Sequence, residues 1–96
     1  MTVDYEALGR YHTVLEQYQR LITQRHNLAS SIDRVTLNAR ISGSVSDSIQ
    51  TLDHAKLGSL VNEITSINQE LMHVVEQVNH YAGIVDKPKI KIMRNA

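Results

Sequence analysis

The sequence predicts an all-α chain folded as a long antiparallel helical hairpin, and three observations carry that prediction. Apolar residues recur at helical spacing in two long runs that together fill most of the 96 residues. The chain holds one Pro (Pro88) and four Gly (Gly9, Gly43, Gly58, Gly83). An all-β domain of this size would need turn signals about every 8 to 12 residues. Its aromatic residues are four Tyr, without Phe or Trp, so aliphatic layers between helices must supply the core that rings would otherwise fill.

The first run predicts a helix over about residues 3–40. Ala7, Val14, Leu21, Leu28 and Val35 repeat every seven residues, flanked by Leu8, Leu15, Ile22 and Ala29. A third row of Tyr11, Tyr18, Arg25, Ile32 and Ala39 completes an apolar stripe about 100° wide. Thr2 is the expected N-cap, with Asp4 and Glu6 at the positive end of the helix dipole. Glu6 with Arg10 and Glu16 with Arg20 are i,i+4 pairs in the favourable order, worth roughly 0.2 to 0.5 kcal/mol each. Ser30 and Ser31 could cap a new helix before Asp33, but unbroken helix to about Arg40 is the preferred reading. Residues 41–47, with Ser42, Gly43, Ser44, Ser46 and Asp47, have turn composition.

The second run predicts a helix over about residues 48–86. Leu57, Ile64, Leu71, Val78 and Val85 share one heptad position, and Leu60, Ile67, Val74 and Tyr81 lie three residues later. This is an a/d seam, widened on one side by Val61, Val75 and Ala82 in a way that suits a multi-helix bundle. Asn68 interrupts that side row, either as a solvated edge or as a polar register-setter. Gln50 and Asp53 fall on the extrapolated seam, so the first turns should pack differently. Gly83, Asp86 and Pro88 together end the helix.

Two helices of about 38 residues, each about 55 Å long at 1.5 Å per residue, joined by a short turn, must lie antiparallel. A lone hairpin would leave part of each stripe wet. The expected remedy is a symmetric homodimer forming a four-helix bundle or coiled coil, with Leu21, Leu28, Leu57, Leu60, Ile64, Ile67, Leu71, Val74 and Val78 in its core.

Composition narrows the function. At 42% hydrophobic and 21% charged the chain is ordinary globular protein. Ten Lys+Arg balance ten Asp+Glu, leaving no overall field to attract nucleic acid or an anionic membrane. The absence of Cys excludes disulfides, thiolate metal ligands and a thiol nucleophile. No apolar run exceeds two residues, and Asp4 and Glu6 stand where a signal peptide needs positive charge, so a cytoplasmic protein without membrane association is expected. The serines lie in a turn without a nucleophile elbow, and no glycine-rich phosphate loop exists, so no enzyme and no cofactor are expected.

Candidate sites are few. His73, Glu76 and His80 share a helical face, but residues seven apart lie about 10.5 Å apart along the axis, so the two His cannot hold one ion without a partner helix. Exposed helical His is the expected reading, with no metal. Tyr11, Tyr18 and Arg25 form a row of the composition enriched at binding hot spots; it is either a partner surface or an amphipathic edge of the dimer core. Charge is partitioned: residues 1–42 carry net +1, residues 43–86 net −5 and residues 87–96 net +4. The basic tail, with Lys87, Lys89, Lys91 and Arg94, is therefore a separate electrostatic object. It is either solvated or docked on the acidic second helix, or it meets a partner, as an added strand or on an anionic cluster. Four charges without interleaved aromatics make nucleic acid an unpromising partner.

The stretch Tyr5-Glu6-Ala7-Leu8-Gly9-Arg10-Tyr11-His12 through Gln19-Arg20-Leu21 resembles small accessory proteins of lambdoid temperate phages, the group that includes host-nuclease and recombination modulators. The resemblance covers about a fifth of the chain and carries no catalytic or ligand-binding motif. It implies a protein that binds and alters a host DNA-processing enzyme. Zero net charge departs from the dense acidity of DNA mimics. Three functions are thus expected in order: a non-enzymatic adaptor or inhibitor acting on a host protein, a structural or assembly subunit of a secretion apparatus or virion, and a nucleic-acid binder using the tail.

Overall fold

The computed structural model describes residues 4–42 and 52–93, with side chains at 4–37 and 52–93. Two helices, α1 (Tyr5–Ser42) and α2 (His54–Val85), pack against each other as an all-α helical hairpin. Among the described residues there is no strand.

Each helix begins at an aspartate. The Asp4 carboxylate accepts from the Ala7 amide at 3.0 Å while its carbonyl accepts from Leu8 at 3.0 Å. Asp53 repeats the arrangement with Lys56 and Leu57, both at 3.0 Å. Both are N-caps that satisfy amides the helix itself leaves orphaned. They correct the sequence reading at both starts. The cap of α1 is Asp4, and Thr2 lies outside the described residues. The second helix starts at His54, because Leu52 and Asp53 are non-helical and Asp53 spends its side chain on capping. The expected turn also begins later than residue 41, since Ile41 and Ser42 still belong to α1; residues 43–47 lie outside the described residues.

No new helix starts at Ser30 and Ser31. The Ser31 hydroxyl donates to the Asn27 carbonyl at 3.1 Å, as Thr13 does to Gly9 and Thr65 to Val61. These short side chains return to the carbonyl four residues back and leave the helix unbroken.

The end of α2 is a Schellman closure. The Lys87 amide donates to the Ala82 carbonyl at 2.9 Å, and Asp86 takes the left-handed conformation at φ 58°. Gly83 stays inside the helix, so of the three expected terminators Asp86 makes the reversal and Pro88 prevents its continuation. An L-residue other than Gly is strained at such φ. Asp86→Gly is therefore expected to stabilise the protein by about 0.5 to 1 kcal/mol, read as a higher denaturation midpoint at unchanged helicity.

The chain divides into two compact units: residues 1–22 with 69–96, and residues 23–68. In the first, Ala7, Tyr11, Val14 and Leu21 of α1 are buried, as are Leu71, Val74, Val75, Val78 and Ala82 of α2. Val78 and Ala82 are 0% exposed. These positions are the heptad rows the sequence marks. In the second unit the same rows continue through Leu28, Ile32 and Val35 on α1 and Leu57, Leu60, Ile64 and Ile67 on α2, yet every one is only half-buried. None of the described residues of this unit is fully buried.

Candidate interaction surface

Within the first unit the tail is part of the fold. Asn79 donates from Nδ2 to the Ile90 carbonyl at 3.1 Å, and its Oδ1 accepts from the Ile90 amide at 2.7 Å. One side chain thus satisfies both backbone groups of Ile90, as a neighbouring strand would. Asn79 shares a helical face with Val75 and Ala82, four residues before it and three after. Both are buried, and Ile90 is half-buried. Lys89 lies over Gly83, with its Cε 3.5 Å from where a Gly83 Cβ would stand. The tail is thus docked on α2: Lys87, Lys89 and Lys91 are exposed cations on a segment anchored through Ile90. Arg94 lies outside the described residues.

The Tyr and Arg row separates in the structure. Tyr11 is buried at 8% exposure, so it belongs to the helix interface and not to a free surface. Tyr18 is half-buried, and Arg25 is exposed. The row drifts from core to solvent along α1, and the three do not form one patch. A different Tyr and Arg cluster exists in the first unit. Tyr5, Gly9, Arg10 and Thr13 of α1, with Gln77 and Tyr81 of α2, line an open groove of about 520 Å³. Arg10 pairs with Glu6 at 3.0 Å, and hydrogen bonding to Tyr81 first, then to Glu6, raises its pKa further above the ordinary guanidinium value. The Arg10 to Glu6 spacing is visible in the sequence. Tyr81 joins it only because the two helices are antiparallel.

The expected dimer-core residues divide between the units. Leu21, Leu71, Val74 and Val78 are buried within their own chain. Leu28, Leu57, Leu60, Ile64 and Ile67 are half-buried. Beside them Val61 is 45% and Leu37 41% exposed. In this second unit Gln24, Asn27 and Leu28 of α1 and Glu63, Ser66 and Ile67 of α2 line an open groove of about 460 Å³. Side chains of this unit thus meet across the helix pair without closing it from water.

His73, Glu76 and His80 are exposed, and among the described residues no three His, Cys, Asp or Glu converge on a metal-sized site. No described helix is long and apolar enough to cross a membrane. The residue that sequence reasoning missed is Asn79. Its signal is a polar side chain placed between two small apolar members of a row, Val75 and Ala82. No protein-family model matches the chain, and no curated protein and no solved structure shows significant similarity to it.

Proposed function

We propose that this protein is a non-enzymatic helical interaction module that works as a homodimer and presents its outer surface to another protein as an adaptor or inhibitor. The observation that carries the proposal is the difference between the two units. Residues 1–22 with 69–96 bury nine apolar side chains, whereas residues 23–68 carry the same heptad pattern with none of the described ones fully buried. Half-wet Leu and Ile over several heptads forgo much of the roughly 1.5 to 3 kcal/mol that full burial of each side chain contributes. Closed two-fold assembly is the commonest way to recover it. The target implied by the phage-accessory resemblance is a host DNA-processing enzyme.

The test is mass as a function of concentration. A dimerising module reaches twice 10.9 kDa and stays there across a hundredfold rise in concentration. Continued growth with concentration would assign the chain to an assembly subunit instead, and a mass of one chain throughout would remove the dimer altogether.

A further inference from the structure

We infer that residues 87–91 present an open backbone edge that takes an extended acidic segment of a partner protein, with carboxylates at alternate positions opposite Lys87, Lys89 and Lys91. This inference rests on the adaptor reading proposed above and names the surface that meets the partner.

The conformation of Ile90 sets the edge. One carboxamide, that of Asn79, binds both the Ile90 amide at 2.7 Å and the Ile90 carbonyl at 3.1 Å. It can reach both only where they point the same way, which holds for extended backbone and not for a helix, whose N–H and C=O groups point in opposite directions along the axis. In an extended chain the backbone groups of successive residues turn to opposite sides. With those of Ile90 turned toward α2, the amides and carbonyls of Lys89 and Lys91 turn away from it. Residues 87–93 run without helix, turn or bend, and neither Lys89 nor Lys91 has a hydrogen-bond partner among the described residues. Both are exposed. Four unpaired backbone groups on one side of an extended segment are a template for pairing with another extended chain. Pro88 lacks an amide and bounds the edge at its N-terminal end.

Charge selects the occupant. Lys87, Lys89 and Lys91 stand at alternate positions, all exposed, and none is ion-paired among the described residues. Directly opposed residues of paired extended chains bring their Cβ atoms to about 4.5 to 5.5 Å, where opposite charges attract and like charges repel. The three cations thus turn away a second copy of this segment, which would set Lys against Lys, and favour Glu or Asp at every second position. A nucleic-acid backbone would meet the cations through phosphate oxygens, which accept only, so the Lys89 and Lys91 carbonyls would stay unpaired.

The probe is an end-blocked seven-residue peptide alternating Thr and Glu, titrated into the full chain. Saturable binding is expected, with amide exchange slowed at Lys89 and Lys91 and unchanged at Ile90, whose amide Asn79 already holds. Lys89→Glu combined with Lys91→Glu is expected to weaken binding about tenfold and to admit a peptide alternating Thr and Lys instead. Absence of binding, or binding that leaves exchange at Lys89 and Lys91 unaltered, overturns the edge. Equally tight binding of a single-stranded oligonucleotide of the same charge overturns it too, because the tail would then be a plain cationic patch. None of these readouts depends on the mass of the chain, so a dimer that ignores the peptide defeats this inference alone and leaves the proposed function standing.

Discussion

Leu71→Ala is expected to lower unfolding free energy by about 2 to 5 kcal/mol, the range for truncating a large aliphatic side chain in a core that only partly collapses. Leu71 is 4% exposed in the unit that also buries Leu21, Val74 and the 0% exposed Val78. The comparison variant is Ile64→Ala, one heptad earlier in the same row but half-buried. Its cost at low protein concentration is expected to be smaller, about 1 kcal/mol. Under the proposed dimer it should rise with concentration, the second copy completing the burial of the half-buried Ile64. Urea denaturation of both variants at two concentrations separates the cases: the Leu71→Ala penalty holds steady and the Ile64→Ala penalty grows.

Asn79→Ala should release the tail. The substitution removes the acceptor of the Ile90 amide and the donor to its carbonyl at once, for an expected loss of about 1 to 3 kcal/mol. Asn79→Asp is the informative companion, since a carboxylate keeps the acceptor for the Ile90 amide and loses only the donor. Amide exchange reads the result. The Ile90 amide should lose protection in Asn79→Ala and retain part of it in Asn79→Asp, while Leu71 to Val78 stay protected in both. Unchanged Ile90 protection in Asn79→Ala would show that the tail is held by something other than this side chain.

Much of the fold is legible in the sequence because it depends on periodicity, a property of the whole helix. Seven-residue rows through Leu21 and Val14 on one helix and Leu71 and Val78 on the other specify which faces meet, and scarce Pro and Gly leave the helices unbroken. Boundaries depend on single hydrogen bonds instead. Asp4 and Asp53 were each available either as first-turn or seam residues or as caps, and their carboxylates' reach to the amides three residues on decides the matter. Asp86 likewise displaces Gly83 as the reversing residue because the 6→1 bond from Lys87 closes on Ala82.

The surface is less legible for a different reason. The Tyr11, Tyr18 and Arg25 row is uniform in sequence, but its exposure depends on what lies opposite each residue, and Tyr11 faces a helix while Arg25 faces water. The Asn79 to Ile90 contact spans 11 residues and requires the chain to turn back at Asp86. A pattern reading of either segment alone contains neither fact.

Amide exchange along α2 at two protein concentrations probes the central claim most directly, that residues 23–68 are completed only by a second chain. Protection at Leu60, Ile64 and Ile67 is expected to climb steeply as concentration is raised, while protection at Leu71, Val74 and Val78 barely moves. Equal and concentration-independent protection across both sets would contradict the claim, showing that a single chain already closes its own seam from end to end.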